Sequence, residues 1–176
     1  MGGPARARHC GADRGRGVSG THEARVERRV EASPAAVWEV VTDLEHAQER
    51  LSQVTDLHLI TTGPYAVGTG WRETRRMMGA SDTQEIWVVD SDPERRTETE
   101  ARSGNTTYRT VMTLEPLDEG AATQLSVHFS ASTLDPNALQ RMALRVVGPL
   151  GLKLTEKALR TELDDIATAA QEIDAR

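Results

Sequence analysis

From Glu23 the chain alternates strictly, with Ala24, Val26 and Val30 on one side and Glu23, Arg25, Glu27, Arg29 and Glu31 on the other. Successive strand side chains point to opposite faces, so period two with one charged face predicts a half-buried strand. Ser33-Pro34 then supplies a helix N-cap with proline at the first helical position. The segment that follows, Ala35 to Val41, carries an apolar stripe of Val37, Trp38, Val40 and Val41, which predicts a short helix. A second short helix is expected over residues 43–51, with Leu44 and Leu51 as its long apolar side chains.

Beyond residue 52 the apolar pattern breaks into strand-length pieces. Gly63-Pro64, Gly79, Asp92-Pro93, Gly104-Asn105 and Asp118-Glu119-Gly120 supply the turn chemistry between them. Strands are predicted near 53–61, 68–78, 82–90, 95–103, 106–115 and 122–132. Consecutive strands joined by short turns form an antiparallel meander. In the last forty residues the period changes. Leu139, Met142, Ala143, Val146, Leu150, Leu154, Ala158, Ile166, Ala170 and Ile173 recur at spacings of three and four, opened by Asp135-Pro136. This predicts a long amphipathic helix, kinked or broken at Gly148-Pro149 because proline removes a helix hydrogen bond and crowds the preceding turn. The helix stripe needs an apolar sheet face, and the meander offers it.

Composition refines this picture without changing it. A chain of 176 residues is one domain's length and can bury a core without staples. The single Cys10 cannot form an internal disulfide. There is no run of 18 apolar residues and no apolar signal-peptide core, so neither stable membrane insertion nor export is expected and a reducing cytoplasm is the expected location. Residues 1–22 hold four arginines and one aspartate, and read as a disordered or leader segment. Setting them aside leaves 17 basic and 26 acidic side chains in residues 23–176, a formal charge of −9. Such a domain repels phosphate backbones, which argues against nucleic acid as partner.

The order strand, two short helices, six-strand meander and long terminal helix resembles the SRPBCC superfamily, also called START-like or polyketide cyclase/dehydrase-like. Val30-Glu31-Ala32-Ser33-Pro34-Ala35-Ala36-Val37-Trp38 looks like that family's first strand entering its first helix. Val67-Gly68-Thr69-Gly70-Trp71-Arg72-Glu73-Thr74-Arg75 resembles its third strand, and Gly148-Pro149 is similar to bacterial members described as polyketide cyclases. The resemblance covers about residues 24–174. It implies an α+β helix-grip fold: a curved antiparallel sheet of about seven strands around a long C-terminal helix, with residues 23–176 as a single ligand-binding domain. It also implies an internal cavity for a small hydrophobic molecule. Carriers, aromatase/cyclases and receptors share this fold, so fold alone leaves the function open.

Alternation sorts candidate cavity residues by face. On the third strand the inner set is Val67, Thr69, Trp71, Glu73, Arg75 and Met77; on the fourth it is Thr83, Glu85, Trp87 and Val89; on the sixth it is Thr106, Tyr108, Thr110, Met112 and Leu114. Arg75 between Glu73 and Glu85 is then a compensated inward charge cluster, since an unpaired inward charge costs several kcal/mol. One reading is functional: the cluster orients a ligand's polar group, or Glu73 or Glu85 acts as a general base with the Tyr108 hydroxyl as donor. The other is structural, an ion-pair network; a one-residue slip would also reverse the faces. Trp71 and Trp87 are candidate flat walls, and Met142, Val146 and Leu150 a candidate adjustable rim, each against the plainer reading of core packing.

His58 and His128 alternate with apolar neighbours and are expected to face solvent. His46 and Glu49 have ligand-like spacing without an evident third ligand, so no metal is expected. Gly68-Thr69-Gly70 opens a strand, not a helix, and no phosphate-binding or dinucleotide motif occurs, so no cofactor is expected. Three functions stay open: a binder of a lipid, polyketide or aromatic metabolite; a cyclase/dehydratase using non-covalent acid-base chemistry; and an interaction module with a filled cavity. A monomer or a homodimer is expected, an uncovered edge strand permitting the latter.

Overall fold

The computed structural model describes residues 18–77, 80–134 and 138–176, with side chains described for 22–76, 81–134 and 151–176. β1 (Val18–Val30) leads into α1 (Pro34–Thr42), a 3₁₀ turn at Leu44–His46 and the single turn of α2 (Ala47–Arg50). Six strands follow: β2 (Val54–Leu59), β3 (Gly70–Met77), β4 (Ala80–Asp92), β5 (Arg96–Ser103), β6 (Thr106–Leu117) and β7 (Ala122–Leu134). α3 (Ala138–Asp174) ends the fold. The sheet is wholly antiparallel in the order β1-β7-β6-β5-β4-β3-β2. This is the helix-grip α+β architecture, with β2 to β7 as the expected meander and β1 added beside β7.

Local chemistry accounts for the boundaries. Ser33 caps α1 with its Oγ accepting from the Ala36 N–H at 3.3 Å, and that hydroxyl donates to Asp174 at 2.6 Å, tying the first helix to the end of the last. Gly104 takes the positive φ of 58° that the β5–β6 turn requires. β1 starts at Val18, five residues ahead of the expected start. The second helix is shorter than expected, a 3₁₀ turn plus one α turn. Residues 1–17, the Gly79 turn and the Asp135-Pro136 helix start lie outside the described residues.

α3 runs through Gly148 and Pro149 as one helix, so of the kink or break expected there the helix shows no break. Leu154 was placed on the buried stripe by its spacing, yet it is exposed. The buried stripe from there on is Leu159, Leu163, Ile166, Ala167 and Ala170, one helical face turned slightly from the expected one. It packs with Val30, Val37, Val40, Leu125 and Val127 into the main core, between the C-terminal part of α3, α1 and strands β1, β6 and β7.

Candidate functional site

A cavity of about 750 Å³ lies on the inner side of the sheet. Its lining comes from every strand except β2, from α1 and the following turns, and from α3, where Gly151, Leu152, Thr155, Leu159, Glu162 and Ile166 recur at helical spacing. Apolar walls come from Leu44, Leu51, Ile86, Met112 and Phe129 among others. Tyr108 stacks on Phe129 at 6.2 Å between ring centroids, and both rings line the space. Trp71, expected as a wall, is buried and lines the cavity.

β3 carries the polar centre. Glu73 and Arg75 sit two residues apart, so both point inward with Trp71. The Arg75 Nε donates to Glu73 Oε1, while Nη1 and Nη2 donate to both carboxylate oxygens of Glu162 on α3, at 2.8 and 3.0 Å. Trp71 Nε1 donates to the other Glu73 oxygen at 3.1 Å. Glu73 and Glu162 are buried, at 4% and 8% exposure. Burial by itself lowers the Arg75 pKa, but the charges of Glu162 and Glu73 and their hydrogen bonds outweigh it and raise the value above that of a free guanidinium.

On β4 the faces are the reverse of the expected ones. Register pairs Trp71 with Ile86, Glu73 with Gln84 and Arg75 with Asp82, and directly opposed residues share a face, so Asp82, Gln84 and Ile86 look into the cavity. Glu85 and Trp87 lie on the outer face. Glu85 pairs with Arg72 at 2.6 Å, with both side chains about half exposed. Trp87 lies over Gly70, where a Cβ would stand 2.5 Å from the indole ring. The physical cause is the run Ile86-Trp87-Val88-Val89, apolar on both faces, which leaves alternation without a vote. The Arg75 cluster therefore takes its second carboxylate from α3 and not from Glu85.

The remaining expected site residues divide simply. Met112 and Tyr108 line the cavity. The side chains of Met77, Met142, Val146 and Leu150 lie outside the described residues. His58 and His128 are exposed, and His46 pairs with Asp43 at 2.8 Å. No group of three or more potential metal ligands occurs among the described residues.

Several lining residues escaped the sequence reading. Glu162 is the most consequential; its spacing from Leu159, Leu163 and Ile166 puts a carboxylate on the buried face of α3, a signal hidden because only apolar residues were followed. His22 lines the cavity and shares the parity of Ala24 and Val26, so extending that alternation by two residues would have found it. Tyr65 comes from the β2–β3 connection, where no periodicity exists. Its hydroxyl lies 2.7 Å from Thr97 Oγ1 and its ring meets Trp38 edge-on at 6.0 Å. Burial raises the Tyr65 pKa against the opposing effect of the Thr97 hydrogen bond.

A half-open, mostly apolar space with one buried charged cluster can hold a small, mostly hydrophobic molecule and orient one polar group of it. No helix among the described residues is long and apolar enough to cross a membrane. A sequence comparison with curated proteins finds no match. Among solved structures, the chain is similar to a START superfamily protein from Mycobacterium smegmatis, at 15% identity and a TM-score of 0.68 over 86% of this chain and 99% of that one. It is also similar to the Zhui aromatase/cyclase from Streptomyces sp. R1128, at 16% identity and a TM-score of 0.67 over 86% and 94%. Norcoclaurine synthase from Thalictrum flavum matches at 17% identity and a TM-score of 0.69 over 98% and 99%. At these identities the likeness is one of fold, whereas the sequence model for "Polyketide cyclase / dehydrase and lipid transport" matches residues 21–171 directly, and the chain belongs to that family.

Proposed function

We propose that this protein binds a small hydrophobic molecule, a lipid, polyketide or aromatic metabolite, in the cavity between the sheet and α3. Family membership supports a ligand-binding or cyclase role. The observation that carries the binding reading is the cavity itself: about 750 Å³ falls within the roughly 300–1,000 Å³ typical of small-molecule sites. Trp71, Met112, Phe129 and Tyr108 supply apolar contact area, and the Arg75 cluster supplies one polar anchor. The interaction-module reading, which needs a cavity filled by its own side chains, loses its basis. Native mass spectrometry of the purified protein tests the proposal. A retained apolar molecule, displaced by adding long aromatic or aliphatic competitors, is the expected result; a protein that neither retains nor takes up any of them would sink it.

A cyclase/dehydratase reading keeps one specific support. Glu73 and Glu162 are buried carboxylates lining the cavity, Tyr108 lines it from β6, and ring closure of a reactive chain needs only shape and one or two proton-transfer groups. Glu85, on the outer face, drops out of this reading. If the protein is an enzyme, Glu73→Gln abolishes turnover of a polyketide-like substrate while its affinity survives. Parallel loss of both, or of neither, favours a binder.

A further inference from the structure

We infer that the cavity selects ligands whose polar end is cationic or a hydrogen-bond donor, and rejects those ending in a carboxylate or phosphate; this rests on the cavity-binding reading above. The argument is a count of charges and of free hydrogen-bonding directions. Two buried carboxylates, Glu73 and Glu162, surround one guanidinium, leaving the cluster with a formal charge of −1. An arginine usually recognises an anion with its planar fork of two N–H groups. Here that fork is already closed on Glu162 and the Nε is taken by Glu73; three of the five N–H groups are used, and the two left over, one on each Nη, point apart and form no fork for an anionic ligand.

What the cluster does offer is acceptors. Each carboxylate oxygen has more than one lone-pair direction, and each of these four oxygens uses one, three on Arg75 and one on the Trp71 indole. The rest of the lining leans the same way less strongly: among the described residues Asp82 and Asp43 also face the space, but Asp43 is paired with Arg50 at 3.0 Å and His46 at 2.8 Å, and His22 adds an imidazole. A ligand's ammonium or phenol group near Glu73 and Glu162 would neutralise or share the residual charge, whereas a carboxylate there adds like-charge repulsion beside two buried carboxylates.

A matched probe series on one apolar scaffold tests this: 2-naphthylmethylamine, 2-naphthol and 2-naphthoate, titrated calorimetrically into the full-length protein near neutral pH. The amine is expected to bind at least about tenfold more tightly than the carboxylate, with the neutral phenol between them. That gap should shrink in Glu162→Gln or Glu73→Gln, using whichever variant retains the wild-type circular dichroism spectrum. Tightest binding of naphthoate, equal binding of all three, or an unchanged gap in the folded variant overturns the inference while leaving the cavity reading standing. Failure of all three probes to bind, with no competition against any retained molecule, overturns both.

Discussion

The two halves of the sheet are built from the same alternating strands and differ in what covers them. Under the C-terminal part of α3, strands β1, β7 and β6 press Val30, Leu125, Val127 and Leu114 against Leu163, Ile166 and Ala170 with almost no exposure. On the other half, the inward residues of β3, β4 and β5 include Trp71, Glu73, Arg75, Asp82, Gln84, Ile86, Thr97 and Thr99, and they face a cavity whose lining continues onto β6 and β7 at Tyr108, Met112 and Phe129. Packing chemistry separates the halves: aliphatic side chains fill the first, while charged and hydroxyl-bearing residues line the second. A wall that is polar at a few points and apolar elsewhere is one that a ligand completes, whereas an aliphatic wall is completed by the helix.

The contrast is most sharply tested at Arg75. Truncating one partner of a buried ion cluster leaves the others uncompensated, so Arg75→Leu should cost about 3–5 kcal/mol, read from urea unfolding. Much of that loss should return when Glu162→Leu is added. A loss below about 1 kcal/mol would mean that Glu73 and Glu162 are solvated, and the hollow half would be an open groove. In the packed half, Leu163→Ala is expected to cost about 2–5 kcal/mol, since Leu163 is 1% exposed and its removal opens a new void. Ile86→Ala should cost distinctly less, because the side chain already borders empty space. Equal losses at the two positions would erase the distinction between the halves.

How far the sequence foretold these halves follows from the physics of each signal. Element order was legible because period two, the Ser33-Pro34 cap and the turn residues are local features, and the chain folds locally as they dictate. On β3 and β6 the expected faces agree with the cavity lining at Trp71, Glu73, Arg75, Tyr108 and Met112, where a few large apolar side chains set the parity, although Val67, also expected inside, is 61% exposed ahead of β3. β4 failed because Trp87 and Val89 are as apolar as Ile86 and Val88; only cross-strand register, a long-range property, decides between them, and it puts Trp87 over the bare backbone of Gly70. Glu162 was missed for a similar reason. Helical periodicity places it on the buried face, but nothing local says that an arginine 87 positions earlier waits there.

The outer face of β3 offers a smaller and cleaner test, because it repeats the inner chemistry in water. Arg72 and Glu85 form a cross-strand pair with side chains 57% and 50% exposed. Exposed pairs of this kind contribute about 0–1 kcal/mol. Glu85→Ala should therefore leave stability nearly unchanged and ligand affinity untouched, in contrast to Glu73→Gln a short distance away through the sheet. A loss of affinity in Glu85→Ala would return Glu85 to the site and contradict the register of β4.

The smallest effect expected lies at the rim of the hollow half, where Asp43 meets His46 at 2.8 Å and Arg50 at 3.0 Å. The hydrogen bond to Asp43, followed by its charge, raises the His46 pKa above the usual 6.5. For Asp43, burial pushes upward, but the His46 hydrogen bond and the charges of Arg50 and His46 prevail, and its pKa falls below the usual 3.8. A raised histidine value means that its contribution is fully present below pH 6.5 and fades as pH rises through the folded value. A depressed carboxylate value means that its contribution is present above pH 3.8 and fades as pH falls through the folded value. The pair therefore stabilises the fold most between those limits. His46→Ala should flatten the decline of Tm on the alkaline side while leaving the acid side largely intact, because Arg50 still holds the Asp43 charge. Thermal melts of the two proteins from about pH 3 to pH 9 measure this, and an identical slope above pH 6.5 would show that the His46 contact does not persist in solution.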